Sequence, residues 1–65
     1  MKIIQHDIGK AVVFDGETDI IMIHSRGVSP EQFPPVRGLL EAPGLQIESM
    51  LSLEGGVWVE HYTKN

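Results

Sequence analysis

Short apolar runs rich in β-branched residues, separated by turn residues, occupy the first third of the chain and predict three strands. Residues 10–24 hold two such runs around the segment Asp15-Gly16-Glu17-Thr18, a pattern typical of a β-hairpin. Residues 2–6 predict a shorter strand before this hairpin, and Gly9 marks a turn or bulge between them. The first third is therefore predicted to form a β-sheet.

The second strand of that hairpin contains a run of consecutive apolar residues from Ile20 to Ile23. Successive side chains of a strand point to opposite faces, so this run places apolar side chains on both faces of the sheet. A chain of 65 residues with one short helix has enough material to cover one face only. We therefore expect a second copy to cover the other face, in a homodimer or larger homo-oligomer.

Residues 25–44 contain all four prolines and predict a helical connector in place of further strands. Ser29 and Pro30 are placed to start one helical turn. Pro34 ends this turn, because the residue before a proline disfavours the helical conformation. A second short helix is predicted from about Pro35, with three apolar side chains on one side: Val36, Leu39 and Leu40. We expect this α- or 3₁₀-helical connector to lie over the sheet.

The last third of the chain predicts a second hairpin, whose first strand has alternating apolar positions: Leu45, Ile47, Leu51 and Leu53. A two-residue turn at Gly55-Gly56 would place Leu53 on the face of Trp58. A three-residue turn at 54–56, with Gly56 at positive φ, would place Leu53 opposite Val57 instead. Burial favours the three-residue turn, because it collects the aliphatic side chains of the hairpin on one face.

The other face of this hairpin combines aromatic, sulfur-containing and acidic side chains. Its predicted members are Met50, Trp58, Glu60 and Tyr62. Large amphipathic aromatic side chains with a polar surround are typical of interfaces, so we predict that these four residues bind a partner protein, in the first place a second copy of this chain. The alternative is that the connector helix folds over Trp58 and Tyr62 as a second layer of the core.

Composition narrows the range of partners. The chain has nine acidic and five basic residues, a net charge of -4, and its basic residues are scattered. Nucleic-acid-binding proteins usually carry a basic stripe, so we expect no nucleic-acid partner. The sequence has no apolar run of membrane-spanning length, no apolar signal segment at its start and no cysteine. We therefore expect a cytoplasmic protein with no membrane partner.

Three histidines suggest a second interpretation. His24 and His61, together with Glu60 and Arg26, could form a ligand- or metal-binding site, or a small active site, at a subunit interface. The histidine spacing matches neither HxH nor HExxH, so we predict no metal, no cofactor and no catalytic residue. Histidines that converge in the structure would favour this interpretation, and dispersed histidines would weaken it.

The sequence thus predicts a single, mainly β domain over residues 1–65. Two hairpins form a small antiparallel sheet or partly open barrel of four or five strands, joined by a short helical or 3₁₀ connector. The predicted function is a non-enzymatic protein-binding or assembly module that acts as a homo-oligomer through an aromatic sheet face.

Overall fold

A computed structural model of the protein describes residues 3–64 and contains one antiparallel sheet of five strands. Lys2, which begins the first predicted strand, lies outside the described residues. The regular elements are the strands β1 (Ile3–Asp7), β2 (Ala11–Gly16), β3 (Asp19–Ser25), β4 (Leu45–Ser52) and β5 (Val57–Lys64), the helix α1 (Pro34–Leu40), and the 3₁₀ turns Pro30–Gln32 and Glu54–Gly56.

The strands lie side by side in the order β1-β2-β3-β5-β4. All neighbouring pairs are antiparallel, so β1 to β3 form a meander and the β4–β5 hairpin joins it through β5. This arrangement confirms the mainly β fold with a helical connector between its two parts. Within the described residues the sheet is open, since β1 and β4 form its two edges.

The turns of the meander lie where the sequence predicts them. Asp15 pairs with Ile20 across the β2–β3 hairpin, which leaves Glu17 and Thr18 at its tip. Gly9 has a φ of 86° in the turn between β1 and β2, a conformation that glycine adopts without steric cost. Local turn chemistry therefore determines this part of the fold.

The connector provides the helix that covers the sheet. Phe33 is extended (φ -95°, ψ 125°) between the first 3₁₀ turn and α1, as expected before Pro34. The 3₁₀ turn starts at Pro30 as predicted, but the Ser29 hydroxyl donates to the Glu31 carboxylate at 3.0 Å and does not cap a backbone amide of the turn. Val36 of α1 is fully buried, and the side chains that make up the core with it are Val13, Ile20 and Met22.

The helix packs on the side of the sheet opposite to the one that the sequence predicts. Ile20 pairs with Tyr62, and directly opposed residues of a sheet share a face. Tyr62 therefore lies on the side of the buried Ile20, and it packs against the core. The prediction that the aliphatic side of the β4–β5 hairpin is the buried side is wrong. We call the side that carries α1 the covered face and the other side the open face.

A β-bulge at Glu48 divides β4 between the two faces. Ile47 pairs with Tyr62, whereas Ser49 pairs with His61, so one residue is inserted between them. An inserted residue reverses the alternation, since side chains of a strand repeat every two residues. Leu45 and Ile47 consequently lie on the covered face, apart from Leu51 and Leu53. The predicted single apolar face of this strand is therefore wrong.

The turn of the last hairpin has the predicted three-residue form. Leu51 pairs with Val59, and the Leu53 N–H donates to the Val57 carbonyl oxygen at 2.7 Å. Gly56 has a φ of 79°, which confirms the predicted positive φ, and Gly55 has a φ of 78°. Leu53, Val57 and Val59 therefore share a face as predicted, but that face is the open one.

Candidate functional site

The open face is a largely apolar surface formed by all five strands and by Leu53 at the end of the last hairpin. The strand registers place alternate residues of β1, β2, β3, β4 and β5 on this side. Its apolar members are Ile3, Val12, Phe14, Ile21, Ile23, Leu51, Leu53, Val57 and Val59. Contiguous exposed apolar patches on a protein surface often take part in binding.

Exposure along β3 shows how differently the two faces are covered. Ile20 and Met22 are at most 1% exposed beneath α1, whereas Ile21 and Ile23 are each 38% exposed on the open face. The expectation that the run Ile20–Ile23 sends apolar side chains to both faces is confirmed. The connector covers one of the two faces, and the open face is left to solvent in the subunit.

Polar residues border the open face near the β2–β3 turn. The His61 Nε2 atom lies 3.0 Å from Asp19 Oδ2, and both side chains are partly exposed. The hydrogen bond with His61 is the main cause that lowers the pKa of the Asp19 carboxyl below its usual value. Desolvation opposes this effect in part, and a hydrogen bond from the Thr18 hydroxyl adds to it. This surface therefore combines apolar side chains with the hydrogen-bonded pair of Asp19 and His61, and protein interfaces commonly combine apolar and polar groups in this way.

The four residues predicted to bind a partner lie on the covered face. Trp58 pairs with His24, Glu60 pairs with Met22, and Met50 pairs with Glu60 across β4 and β5. Trp58, Glu60 and Tyr62 are half-buried, and Tyr62 contacts the core. Met50 is 56% exposed at the sheet edge. The placement of the aromatic side chains on an outer face is thus wrong, and the alternative of a helix over that face describes it better.

Polar side chains on the covered face form a short network. The Tyr62 hydroxyl donates to Glu60 Oε2 at 3.1 Å, and Glu60 Oε1 lies 3.3 Å from His24 Nε2 without the alignment of a hydrogen bond. Burial first, and the adjacent Glu60 carboxylate second, raise the pKa of Tyr62 to about 12. The other ring nitrogen of His24 lies 3.3 Å from the Ser25 carbonyl oxygen. Of these contacts, the one between His24 and Glu60 joins β3 to β5.

The residues of the alternative site do not converge. His24 pairs with Trp58 on the covered face, whereas His61 pairs with Ile21 on the open face, so the sheet separates the two rings. Arg26 is exposed after β3, where its backbone N–H donates to the Gly56 carbonyl oxygen at 2.6 Å. Among residues 3–64, no three side chains of the metal-binding types are arranged to hold a metal ion. The dispersed histidines weaken the enzyme and metal-site interpretation.

Two surface depressions flank the β2–β3 turn, with volumes of about 180 and 320 Å³. Both include Gly16 and Glu17 in their lining. The Lys64 amine in the smaller one pairs with Asp15 and donates to the Gly16 carbonyl oxygen at 2.8 Å. This amine is already engaged, and the other charged residues that the described part of the chain contributes to these linings are acidic, an environment unfavourable to an anionic ligand.

The fold places the chain in the class of small, mainly β proteins with a single open sheet and one covering helix. Comparison with protein-family models, with curated proteins and with solved structures gives no match. None of the helical segments in residues 3–64 combines the length and hydrophobicity that crossing a membrane requires. Sequence reasoning missed the open face as the candidate surface, although the consecutive apolar residues Ile20–Ile23 pointed to a second covered side.

Proposed function

We propose that this protein is a non-enzymatic assembly module that forms homo-oligomers by packing its open face against the open face of a second copy. The observation that supports this most is the pair Ile21 and Ile23, apolar, central in the sheet and each 38% exposed. We move the proposed contact surface from the aromatic side of the sheet to its aliphatic side, because α1 and the core occupy the aromatic side.

The size of the open face is slightly below the smallest that a stable contact requires. Strands lie about 4.8 Å apart and rise about 3.3 Å per residue, so a face of five strands and seven residues measures about 550 Å². Stable specific interfaces begin at about 600 Å² per partner, and two sheets pack face to face about 10 Å apart. The open face of one subunit therefore comes close to the lower limit for a stable dimer.

The charges of the chain are compatible with a second copy as the occupant. A net charge of -4 makes two copies repel at long range, but the neighbouring open-face residues of β2 and β3 are all apolar: Val12, Phe14, Ile21 and Ile23. His61, opposite Ile21 on the same face, is already paired with the Asp19 carboxylate. Face-to-face packing thus buries aliphatic surface without burying an unpaired charge, which would be costly.

The test compares two isoleucines on opposite faces. Ile23→Lys places a charge in the centre of the open face, and Ile4→Lys places one on the covered side of β1, at a residue of similar exposure (38% and 44%). Sedimentation at micromolar concentration should give a multiple of the monomer mass of 7.2 kDa for the wild type and Ile4→Lys, and a smaller mass for Ile23→Lys.

Fluorescence of Trp58, the single tryptophan, verifies folding of each variant, and Ile21→Lys serves if Ile23→Lys does not fold. A folded Ile23→Lys variant with the wild-type mass would exclude the open face as the contact surface. A monomeric wild-type protein would exclude self-assembly altogether.

A further inference from the structure

We propose that the free edge of β4 is a second self-association surface, at which β4 of one subunit pairs antiparallel with β4 of a second copy. This inference rests on the proposed function, because both describe self-assembly, but it concerns a different surface. The sheet would then continue from one subunit into the next, with both helices on the same side.

The edge strand carries apolar side chains that the open-face contact leaves uncovered. Met50 and Leu51 are adjacent, similarly exposed (56% and 57%), and directed to opposite faces. Ile47 on the covered face is 52% exposed as well. A face-to-face contact reaches Leu51 but not Met50 or Ile47. Only a neighbour at the edge contacts both sides of the strand.

The area of the open face also calls for a second contact. A face of about 550 Å² falls short of the roughly 800 Å² per partner that a standard interface buries. Pairing at β4 adds the surface of the half-exposed residues at the edge and extends the open face across two subunits. The two contacts together therefore bury more surface than the open face alone.

Hydrogen bonding shows which backbone groups of β4 are directed to the free edge. Leu53 bonds to Val57 in β5, and in antiparallel pairs bonded and non-bonded positions alternate. Leu51 and Ser49 therefore bond to β5, whereas the N–H and C=O groups of Met50 and Ser52 point away from it. These outward groups provide two donors and two acceptors for another strand.

A two-fold axis at Leu51 brings the outward backbone groups of one copy opposite the same set of groups on the second copy. With Leu51 opposite Leu51 of the second copy, Met50 lies opposite Ser52 of the second copy, and the outward donors and acceptors meet in four hydrogen bonds. The paired segment, residues 49–53, is the regular stretch between the Glu48 bulge and the Glu54–Gly56 turn. Such a self-complementary, isologous contact is what a symmetric dimer requires.

Residues 49–53 lack most of the features that keep an edge strand from pairing with another chain. Natural edges are commonly blocked by lysine, by proline, by short length or by a bulge. Residues 49–53 contain no charged residue and no proline, and the bulge lies outside them. The same register brings Glu48 towards Glu54 of the second copy, a repulsion that added salt screens.

Two perpendicular two-fold axes that intersect, one for the face contact and one for the edge contact, generate a closed tetramer of two stacked sheets. We therefore expect the wild-type protein to sediment at four times the monomer mass of 7.2 kDa. The chain of 65 residues is within reach of chemical synthesis, so single backbone amides can be methylated. Methylation removes one donor and blocks an approaching strand without changing the side chain.

Methylation of the Met50 amide should halve the mass, because this amide points to the free edge and is not needed for pairing with β5. The matched control is methylation of the Gln5 amide on the opposite edge. Ile8 bonds to Ala11, so alternation directs the Gln5 N–H outward from β1, and its methylation should leave the mass unchanged. The Ser52 amide provides a second position if the Met50 form does not fold.

The outcomes separate this inference from the proposed function. If the folded Met50 and Ser52 forms keep the wild-type mass while Ile23→Lys lowers it, the edge contact is wrong and the open-face contact stands. If Ile23→Lys keeps the mass while methylation lowers it, the edge contact stands and the open-face contact is wrong. A monomeric wild-type protein overturns both.

Discussion

Substitution of two adjacent isoleucines of β3 compares the contribution of each face of the sheet to the free energy of unfolding. Ile20 is 0% exposed beneath α1, and Ile21 is 38% exposed on the open face. Ile20→Ala and Ile21→Ala remove the same atoms from neighbouring positions in one strand. Any difference between the variants therefore reports the surroundings of the two side chains.

The expected losses follow from burial. Ile20→Ala leaves a cavity in a closed core and should lower the free energy of unfolding by about 2–5 kcal/mol. At about 0.8 kcal/mol per buried carbon, the three carbons removed by Ile21→Ala represent about 2.4 kcal/mol when fully buried. The 38% exposure of Ile21 reduces this loss to about 1.5 kcal/mol in the isolated subunit.

If two copies assemble through the open face as proposed, the effect of Ile21→Ala on the free energy of unfolding depends on protein concentration. A second copy over the open face would bury the remaining surface, which adds about 0.9 kcal/mol per subunit. For two subunits this amounts to about 1.8 kcal/mol, or association about 20-fold weaker. The effect of Ile20→Ala on the free energy of unfolding should not change with protein concentration, because its site is complete within one subunit.

Denaturant unfolding followed by the fluorescence of Trp58, at several protein concentrations, distinguishes these effects. The loss for Ile21→Ala should rise from about 1.5 kcal/mol in dilute solution to about 2.4 kcal/mol where the oligomer is populated. Ile20→Val, which should cost about 1 kcal/mol, replaces Ile20→Ala if that variant does not fold. Equal losses for the two alanine variants at every concentration would refute the assignment of the faces.

Two further predictions concern the last hairpin and the covered face. Gly56→Ala should lower the free energy of unfolding by about 1–2 kcal/mol, because a Cβ is strained at φ 79° even though it meets Arg26 only at an ordinary 3.5 Å. Gly38→Ala in α1 is the control, because the added Cβ meets nothing within 4 Å, and it should raise the free energy of unfolding by up to about 1 kcal/mol. Chemical denaturation measures both variants, and a change of the same sign in the two free energies of unfolding would contradict this prediction. Because the pKa of Tyr62 rises from 10.0 to about 12 on folding, its neutral form stabilises the fold fully below pH 10.0, and this contribution is lost as the pH rises towards 12. Absorbance of the single tyrosine should follow that titration, and Tyr62→Phe should flatten the loss of stability; ionisation of Tyr62 near pH 10.0 in the folded protein would count against the burial of its hydroxyl beside Glu60.

The fold follows largely from local signals in the sequence. The apolar runs of β2 and β3 flank a turn, Pro34 ends one helical turn and precedes α1, and glycines at 55–56 permit the three-residue turn. Each of these features depends on residues within a few positions of one another. This explains why the strands, the helix and the register of the last hairpin agree with the sequence-based prediction.

The candidate site depended on contacts between distant parts of the chain. Alternation along β5 separates Trp58 from Val59 but does not state which of the two faces the core. The pairing of β5 with β3 aligns Tyr62 with Ile20, and the connector places Val36 over the same side of the sheet. These two contacts determine that Tyr62 and its neighbours on alternate positions face the core. No pattern within the β4–β5 hairpin contains this information.

The sequence by itself determined that β3 carries apolar side chains on both faces, because consecutive residues of a strand point to opposite sides. It also determined the turn of the last hairpin, through the conformational freedom of Gly56. The tertiary structure decided which face the helix covers, the bulge at Glu48 that divides β4, and the separation of His24 from His61. These are consequences of strand pairing and helix docking, in which residues far apart in the chain compete for the same side of one sheet.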